Sequence, residues 1–480
     1  MGYIKMQDVI IIGAGIVGTS VSYYLSKYDL KVTVLEKCND VSCGTTKANS
    51  AIIHAGYDPK EGTHMARLNV LGSKLTKEVC AKLDVPYKQC GAFVLGFSEE
   101  DRKHIELLYQ RGVNNGVKDL EIIEHDEVLK LEPNISAEVK CALWAKTSAI
   151  VSPWELCLAL AEVSIQNGAE YHLNQEVTSI KKENGIFRVT TQDHTYEAKY
   201  VINCAGLYAD KINDMINPSS FKIQSVKGEY YLIDKSEGNR VHRTIFQCPN
   251  KDGKGVLVSP TVHGNLIVGP NAEKNEKEDL STTSNGLAFV KAQAVKSVPS
   301  INFRENIRNF AGNRAKSDID DFIFGESETE NFFNCAAICS PGLSSALAMG
   351  LEISEWLKGK EEVKAKDHVV DERHVVRFKH LSMEEKNELI ARRPEYGRVI
   401  CRCETVTEGE ILDALRGPLP AHSIDGVKRR CNSGMGRCQG GFCGPKITEI
   451  LAREYHISPL EVLQDLDGSN VLVEKIKEDC

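Results

Sequence analysis

The feature that most constrains this chain is a glycine-rich turn between a buried strand and a helix. Residues 8–12, Asp-Val-Ile-Ile-Ile, predict a parallel strand that is buried on both faces. The sequence Gly-Ala-Gly-Ile-Val-Gly follows at residues 13–18 and leads into helical spacing over residues 16–27. Residues 31–35 then predict a second strand, which ends at Glu36. This order of elements is a βαβ unit.

The three glycines of the turn and the acid after the second strand are typical of a dinucleotide site. Gly13 permits the tight turn, Gly15 lets a pyrophosphate approach the backbone, and Gly18 lets helix and strand pack closely. The helix N-terminus offers free N–H groups and the positive end of the helix dipole to the phosphates. Glu36 is placed to accept hydrogen bonds from ribose hydroxyls. A lone GxGxxG is a weak signal, but this full context makes it strong.

The number of such units indicates which dinucleotide is bound. Many flavoenzymes that use NAD(P)H carry two strand–GxGxxG–helix units, and this chain has one, so we expect FAD and no nicotinamide site. Three loops of small residues, at 43–50, 200–206 and 340–345, are suited to close backbone approach. The last of them precedes an apolar helix whose N-terminus can stabilise negative charge on a reduced flavin ring.

The 16 cysteines divide into a group near the C-terminus and a scattered majority. Cys401-x-Cys403 and Cys438-x4-Cys443 are two pairs separated by 34 residues. Four thiolates on two loops suit a metal; structural zinc more often uses C-x-x-C pairs, and four cysteines also fit a [2Fe–2S] cluster. We favour [2Fe–2S], with zinc and unmetallated thiols as alternatives. The scattered cysteines indicate buried thiols in a reducing compartment.

Residues around these four cysteines are expected to support the site without binding the metal. Cys431 is predicted to be a bystander and Cys480 a free thiol, because four ligands suffice. Glycines between residues 434 and 444 let backbone N–H groups turn towards the sulfur atoms. Nearby basic side chains are expected to offset the negative charge of a cluster. These residues are Lys428, Arg429, Arg430 and Arg437.

Composition bounds the class of protein and its division into parts. The chain has 480 residues with 59 Lys+Arg against 67 Asp+Glu, and a net charge of -8 argues against a protein that coats nucleic acid. A charged stretch predicts a division into an oxidoreductase domain at 1–360, a linker at 361–395 and a cysteine-rich module at 396–480. The N-terminus lacks the pattern of a signal peptide, and no apolar run reaches about 18 residues. A cytoplasmic location is therefore expected, with peripheral membrane contact through a partner left open.

The first 360 residues resemble the D-amino-acid-oxidase-like family of FAD-dependent oxidoreductases. Within it, they are similar to glycerol-3-phosphate dehydrogenases and L-2-hydroxyglutarate dehydrogenases. The resemblance implies an α/β (α+β) fold, in which a Rossmann-type FAD domain is interleaved with an antiparallel-sheet substrate domain. It also implies oxidation of a CH–OH or CH–NH bond by hydride transfer to the flavin. The segments that carry the resemblance are residues 13–18, Glu36, 49–56, 201–206, 312–314 and 340–350.

The cysteine-rich block resembles the [2Fe–2S]-binding module of the bacterioferritin-associated-ferredoxin type. The match covers about residues 398–455, and its most specific run is Gly-Met-Gly-Arg-Cys-Gln-Gly-Gly-Phe-Cys at 434–443. Such a module occurs at the C-terminus of anaerobic glycerol-3-phosphate dehydrogenase large subunits. The resemblance adds weight to Cys401, Cys403, Cys438 and Cys443 as cluster ligands.

The family pattern and the loops above give a set of candidate site residues. The resemblance places His54 beside the flavin as a base for the substrate hydroxyl, or as a hydrogen-bond partner of flavin or backbone. It places Arg314 at the substrate anion, the alternative being an ion pair with a nearby aspartate. For His263 and Lys227 a structural role is favoured. The candidate cofactor-binding residues are Gly13, Gly15, Gly18, Glu36, Thr45, Thr46, Asn49, Val177, Ala205, Gly206, Gly342, Leu343 and Ser344.

These observations predict a dehydrogenase that passes electrons from FAD to a [2Fe–2S] cluster. The favoured reaction is oxidation of glycerol 3-phosphate to dihydroxyacetone phosphate, with electrons leaving to a partner subunit, a quinone or a soluble carrier. An L-2-hydroxyacid such as L-2-hydroxyglutarate is the second choice of substrate, and an amine or imino acid is the third. A non-catalytic electron-transfer subunit and an oxidase that reduces O2 are the remaining alternatives.

Overall fold

A computed structural model describes residues 6–249 and 255–474 of the chain. The start of the chain at Met1 and the predicted free thiol of Cys480 lie outside the described residues. The helices are α1 (Ile16–Leu25), α2 (His64–Lys82), α3 (Glu99–Asn114), α4 (His125–Leu131), α5 (Pro153–Gln166), α6 (Ala209–Asn213), α7 (Ser284–Ser297), α8 (Gly342–Lys360), α9 (Met383–Arg392), α10 (Glu408–Arg416), α11 (Ile424–Cys431) and α12 (Gly444–Tyr455).

The strands form two large sheets and two small ones. The strands are β1 (Met6–Ile12), β2 (Val32–Leu35), β3 (Ile52–Ile53), β4 (Tyr87–Lys88), β5 (Ala92–Gly96), β6 (Leu120–Glu124), β7 (Cys141–Ala145), β8 (Ala149–Val151), β9 (Glu170–His172), β10 (Ser179–Glu183), β11 (Ile186–Thr190), β12 (Thr195–Asn203), β13 (Gln224–Ile233), β14 (Thr244–Gln247), β15 (Leu257–Pro260), β16 (Leu266–Gly269), β17 (Glu273–Lys274), β18 (Asn306–Lys316), β19 (Ile323–Glu326), β20 (Phe332–Ala336), β21 (Val399–Cys401) and β22 (Val406–Thr407).

The first large sheet contains the βαβ unit predicted from the sequence. Its order is β10-β11-β12-β1-β2-β9, with β20 beside β12 and β19 beside β20. β1 pairs in parallel with both β2 and β12. Val9 and Ile11 pack with the buried faces of α1, α5 and α8, whereas Ile10 and Ile12 pack on the other face with residues of β10 and β11. Burial on both faces explains the uninterrupted β-branched run.

The second large sheet has nine strands, and its two faces have different neighbours. Its order is β17-β13-β16-β15-β14-β5-β7-β6, with β18 on the other side of β13. One face packs against α7 through Val290 and Ala294. The opposite face places Tyr230 and Ile267 against Ile52 of β3, which belongs to the dinucleotide half. We call this second face the cleft face.

The C-terminal module has its own core and is tied to the rest of the chain by a charged segment. Apolar side chains of α10, α11 and α12 pack together, Val427 and Ile447 among them. The segment at 361–395 crosses the first domain and is held there by ion pairs. Asp371 Oδ1 lies 2.7 Å from Lys27 Nζ, and Arg377 Nη1 donates to Asp84 Oδ1 at 2.8 Å.

Helices long and apolar enough to cross a membrane are absent from the described part of the chain.

Candidate functional site

The glycine turn after β1 is shaped by close packing. Gly13 has a φ of +103°, and a Cβ atom there would lie 2.5 Å from the carbonyl oxygen of Cys204, which follows β12. A Cβ atom at Gly18 would lie 1.9 Å from the carbonyl oxygen of Gly13. Both contacts exclude a side chain, so the turn requires these two glycines. At Gly15 the nearest neighbouring atom to a Cβ would be Thr46 Oγ1 at 3.3 Å.

The start of α1 is open to an anion. The helix begins at Ile16 with no side-chain cap and with no acidic residue in its first turn. Glu36, at the end of β2, lies beside the turn and accepts from the N–H groups of Ala14 at 2.7 Å and Cys38 at 2.9 Å. The Ile16 N–H donates to Thr46 Oγ1 at 3.0 Å. The helix dipole and this carboxylate therefore lie at one end of the site.

The segment of residues 45–54 runs between the dinucleotide half and the cleft face. Thr45 Oγ1 donates to the Asn313 carbonyl of β18 at 2.7 Å, and a Cβ atom at Gly312 would lie 1.9 Å from the Ala48 carbonyl. Asn49 Nδ2 donates to the carbonyls of Thr45 at 3.1 Å and Thr46 at 2.9 Å. The segment is thus fixed on both sides, and β18 approaches it closely.

The start of α8 lies at the other end of the same segment. The His54 N–H donates to Ser344 Oγ at 2.8 Å, in the first turn of α8. Like α1, α8 begins without a side-chain cap and without an acidic residue in its first turn, which contains Gly342 and Leu343. Two uncapped helix N-termini are therefore joined by one short segment, an arrangement suited to a long anionic ligand.

The remaining predicted cofactor residues lie at the ends of neighbouring strands. Ala205 and Gly206 follow Cys204 after the end of β12, and the Cys204 N–H donates to the carbonyl of Ile12 at 2.9 Å. Val177 is buried two residues after Gln175, whose N–H donates to the Glu36 carbonyl at 2.8 Å. The candidate set thus gathers at the carboxyl ends of β1, β2 and β12, where α/β sheets bind ligands. Tight glycine turns, small loops and uncapped helix ends fit FAD.

His54 is held by its backbone, and its ring reaches the cleft face. Its carbonyl accepts from Asn69 Nδ2 at 2.7 Å. The imidazole stacks on Phe246 of β14 with ring centroids 5.7 Å apart, and its Nε2 lies 3.4 Å from Ser340 Oγ. The ring is therefore oriented by contacts on two different elements.

Arg314 lies on β18 and leans across the cleft face. Alternation along the strands puts Arg314 on the side that carries Phe310, which packs with Tyr230 and Ile52. Arg314 Nη1 and Nη2 both donate to the Asn271 carbonyl at 3.3 Å. A Cβ atom at Gly228 of the adjacent β13 would lie 2.6 Å from Arg314 Nη2. The glycine thus makes room for the guanidinium to extend from the edge strand toward the middle of the sheet.

The ion pair proposed as an alternative role for Arg314 is not found in the described residues. Asp321 instead accepts from the N–H groups of His64 and Met65 at the start of α2. Asp320 lies 2.5 Å from Lys60 Nζ, at an exposed position. His54, through its stacking on Phe246, and Arg314, on the side of β18 that carries Phe310, both lie at the cleft face.

Lys227 and His263 occupy structural positions. The Lys227 ammonium is buried and lies 2.7 Å from Asp279 Oδ2. His263 stacks on Trp154 with ring centroids 5.6 Å apart, and its Nε2 lies 3.4 Å from Glu155 Oε1. Burial lowers the pKa of His263, so the ring is neutral at pH 7.

The four predicted metal-binding cysteines lie as two pairs of different exposure. Cys401 and Cys443 are buried, and their thiols lie close enough to shift each other's pKa. Cys403 Sγ lies 3.6 Å from Cys438 Sγ, and Cys403 is exposed. The described residues contain no group of three or more His, Cys, Asp or Glu side chains placed for a single metal ion. Four cysteine thiols supply the number of terminal ligands that a [2Fe–2S] cluster needs.

In each thiol pair the pKa of one cysteine is lowered, at Cys401 and Cys438, and the pKa of the other is raised, at Cys443 and Cys403. The hydrogen bond with Cys443 and one from the Gly434 N–H, whose nitrogen is 3.5 Å from Cys401 Sγ, lower the pKa of Cys401 to about 6. A hydrogen bond from the Phe442 N–H lowers the pKa of Cys438. This donor set fits a cluster, because cluster ligands are thiolates.

Cys431 lies apart from both pairs. Its Sγ lies 3.3 Å from the carbonyl of Val427, one turn earlier in α11. Burial raises the pKa of this thiol to about 12. These contacts support the bystander role expected from the sequence.

Arg429 and Arg430 were expected to offset the charge of a cluster. They instead bind Asp40, in the loop that follows β2. Arg429 Nη2 donates to Asp40 Oδ2 at 2.9 Å, and Arg430 donates to both Asp40 oxygens at 2.8 and 2.9 Å. All three side chains are buried. Asp465 extends the network, since its carboxylate contacts Arg429 at 2.9 Å and Lys47 at 2.5 Å. We call these five residues the clasp.

The clasp joins the cluster module to the loop that leads into the flavin site. Asp40 lies between Glu36 and Thr45, both candidate cofactor residues, and α11 ends where the second ligand loop begins. Burial alone would raise the pKa of Asp40, but Arg430 and Arg429 outweigh burial and lower it to about 2. The other two cations expected beside the cluster also bind carboxylates, Lys428 at Asp425 and Arg437 at Glu305.

Sequence reasoning missed Asp40, Phe246 and Asn271. Asp40 contacts arginines about 390 positions away, and no local pattern marks such a pair. Phe246 belongs to a short strand and supports His54 through ring stacking. Asn271 holds Arg314 by its carbonyl oxygen, which every residue type possesses. The two adjacent arginines before the second ligand loop were a usable signal for a buried acid, but the partner was not identifiable.

Comparison with known proteins gives two family matches. The model described as FAD dependent oxidoreductase matches residues 8–356, and the model described as BFD-like [2Fe-2S] binding domain matches residues 399–453. The chain belongs to the FAD-dependent oxidoreductase family. The predicted fold class and family resemblance are confirmed, and the predicted cofactors, FAD and a [2Fe–2S] cluster, are those of the two matching families.

Individual relatives of this oxidoreductase agree with the family matches. A glycerol 3-phosphate dehydrogenase of Caloramator mitchellensis is 48% identical over 99% of this chain and 100% of its own length. An L-2-hydroxyglutarate dehydrogenase of Escherichia coli (strain K12) is 29% identical over 65% of this chain and 76% of its own. A solved structure of dithionite-reduced L-alpha-glycerophosphate oxidase from Mycoplasma pneumoniae, with FAD bound, has a TM-score of 0.74 at 30% identity and covers 78% of this chain and 99% of that chain.

Proposed function

We propose that this oxidoreductase converts glycerol 3-phosphate to dihydroxyacetone phosphate and releases the electrons through its C-terminal cluster. The observation that carries the proposal is the 48% identity to a glycerol 3-phosphate dehydrogenase along the whole of both chains. That likeness spans 99% of this chain and so includes the cysteine-rich module matched at residues 399–453. The module gives the electrons an exit other than O2.

The substrate phosphate is assigned to Arg314. A guanidinium binds a phosphate through two parallel hydrogen bonds, and Arg314 presents its planar group beside Gly228 on the cleft face. Asn271 fixes the guanidinium from behind through its carbonyl. The carboxylates of L-2-hydroxyglutarate suit the same group, so that substrate is the second candidate.

The hydroxyl proton is assigned to His54. FAD, when bound, would supply the hydride acceptor for the CH–OH carbon, and one proton would then have to be taken from the hydroxyl. Stacking on Phe246 and the contact with Ser340 orient the imidazole, and a neutral imidazole can accept that proton. The carbon thus loses two electrons and two hydrogens, and a ketone remains.

The parts of the chain are assigned to successive tasks. Residues 1–360 are proposed to form the oxidoreductase domain, 361–395 the charged linker and 396–480 the [2Fe–2S] module. The candidate cofactor residues at the two helix N-termini would hold FAD, and Cys401, Cys403, Cys438 and Cys443 would hold the cluster. We propose a cytoplasmic location, with electrons passing to a partner protein or carrier.

The proposal is tested by anaerobic bleaching of the flavin at about 450 nm. Glycerol 3-phosphate is expected to bleach it faster than L-2-hydroxyglutarate at equal concentration. The Arg314→Lys variant should raise the glycerol 3-phosphate concentration for half-maximal rate by about tenfold or more, since the bidentate contact is lost. His54→Gln should lower the limiting rate by about 10² or more with little change in that concentration.

Two results would count against the proposal. If L-2-hydroxyglutarate bleached the flavin faster than glycerol 3-phosphate does, L-2-hydroxyglutarate would be the better candidate substrate. Bleaching by neither compound would reject both substrates. An Arg188→Lys variant, on strand β11 away from the cleft face, serves as a control and should behave as the wild type.

A further inference from the structure

The two thiol pairs of the cluster site differ in their access to solvent. Cys401 and Cys443 are each 1% exposed, whereas Cys403 is exposed and Cys438 is half-buried. Phe442, directly before Cys443, is 79% exposed. One edge of the site therefore meets solvent beside an uncovered aromatic ring.

The ligand loops that form this edge carry positive charge. Within 401–405 and 432–446 the single carboxylate is Glu404, which is buried with an oxygen 2.7 Å from Lys235 Nζ. The cations of the two loops are Arg402, Arg437 and Lys446. The whole chain has a net charge of -8, so this positive edge contrasts with the average surface.

Two of these cations are accessible to a partner. Arg402 is exposed between Cys401 and Cys403. Arg437 contacts Glu305 at 2.5 Å, yet its side chain remains 63% exposed. A bare aromatic ring among exposed arginines is the composition expected at the centre of a protein interface.

We propose that Arg402, Cys403, Arg437 and Phe442 form an exit face that docks an acidic one-electron redox protein. Positive charge steers the negative partner, and Phe442 enters an apolar site on it and excludes water from the contact. The exposed Cys403 and Cys438 pair brings the partner's redox centre closer than the buried pair would. The inference deepens the proposed function, since it names the kind of carrier that takes the electrons.

The electron balance fixes what a probe should report. Oxidation of one substrate molecule yields two electrons, and each electron that crosses the exit face reduces one ferric haem to the ferrous state. Two haems are therefore reduced per two-electron-reduced flavin, and a third haem is reduced where dithionite has also reduced the cluster by one electron. The flavin's protons go to solvent. Cytochrome c suits this test, because the native protein is basic and succinylation of its lysines makes it acidic without changing the haem.

The holoenzyme is first reduced with dithionite, freed of excess reagent anaerobically and mixed with each cytochrome. Starting from dithionite keeps this test independent of the substrate assignment. At low ionic strength we expect succinylated cytochrome c to be reduced at least about tenfold faster than native cytochrome c. Salt at about 0.5 M should remove most of that difference.

Variants locate the effect on the exit face. Arg402→Glu and Phe442→Ser are each expected to slow reduction of succinylated cytochrome c by about fivefold or more. Lys181→Glu makes the same charge change on edge strand β10 and is the matched control. Iron and sulfide at about two of each per chain must be retained in every variant. Calorimetric titration of both oxidised proteins should show weaker binding for the two face variants, a readout without electron transfer.

Clear results would overturn the exit face. If native cytochrome c were reduced as fast as succinylated cytochrome c, or faster, the proposed role of positive charge on the exit face would be contradicted. Unchanged rates and binding in Arg402→Glu and Phe442→Ser, with clusters intact, would place docking elsewhere. A normal exit test combined with no bleaching by glycerol 3-phosphate would reject the substrate and leave the exit face standing.

Discussion

The flavin cleft and the cluster module carry out connected tasks, but different parts of the chain form them: mainly backbone in the cleft and mainly side chains in the module. The cleft is shaped mainly by backbone: glycine turns at Gly13 and Gly18 and two helices that begin without side-chain caps. The module depends on side chains, with four thiols in two pairs and a buried ion cluster at Asp40. Substitutions should therefore act on the cleft through steric exclusion and on the module through lost ligands or unpaired charge.

The largest expected effect is a steric one in the cleft. Gly18→Ala would place a methyl group 1.9 Å from the Gly13 carbonyl, so the turn must open. We expect loss of most bound FAD, measured by absorbance at about 450 nm per chain. Gly359→Ala is the matched control, because a Cβ atom there meets no neighbouring atom within 4 Å. Normal flavin content in Gly18→Ala would contradict the backbone account of the cleft.

The second-largest expected effect is loss of the cluster from the module without loss of flavin from the cleft. Cys438→Ser removes one of four thiolates, and we expect loss of iron and sulfide with flavin content unchanged. Cys431→Ser tests the bystander assignment and should keep about two irons per chain. If Cys431→Ser loses iron while Cys438→Ser retains it, the ligand set is wrong.

The third test concerns the clasp and measures the free energy of unfolding. Asp40→Asn leaves the buried Arg430 without its Asp40 carboxylate partner, while Arg429 keeps its contact with Asp465. We expect the free energy of unfolding to fall by about 3 kcal/mol. Chemical denaturation followed by fluorescence measures the change. Asp320→Asn alters an exposed ion pair and should change stability by less than about 0.5 kcal/mol. Equal effects for the two variants would show that the clasp does not hold the module.

The smallest expected effect is the pH dependence of the stability that the Asp40 ion pairs contribute. The folded pKa of Asp40, about 2, lies below that of an unfolded aspartate, so the clasp contributes fully above about pH 4. That contribution, on the order of 2.5 kcal/mol, is lost as pH falls from about 4 to 2. The wild type should therefore lose more stability than Asp40→Asn over that interval. If stability fell in parallel with pH in the wild type and in Asp40→Asn, the Asp40 carboxylate would not contribute the stability assigned to it.

Local patterns in the sequence predicted the parts of the site that depend on chain neighbours. The glycine turn, Glu36 and the four cysteines each belong to a short run whose spacing follows from the chemistry of the group it binds. The structure places Gly13 and Gly18 in close contact and brings Cys403 Sγ to 3.6 Å from Cys438 Sγ. The assigned roles of the individual site residues, and the boundaries at 360 and 395, stay predictions.

Contacts between distant parts of the chain were not predictable. Arg429 and Arg430 follow the pattern expected of residues that balance a cluster, yet burial between two domains pairs them with Asp40. Sequence spacing reports which residues share a loop or a face, but the docking of one domain on another depends on surfaces assembled from many elements. His54 likewise depends on Phe246, almost 200 residues later.

The central claim is that a hydride enters at the cleft and single electrons leave through the cluster of the same chain. The most direct measurement is anaerobic mixing of the holoenzyme with glycerol 3-phosphate, followed by optical spectra and by electron paramagnetic resonance of frozen samples. We predict that the flavin bleaches and that the signal of a reduced [2Fe–2S] cluster then appears in the wild type but not in Cys438→Ser. Complete bleaching with a cluster that stays oxidised in the wild type would contradict the account.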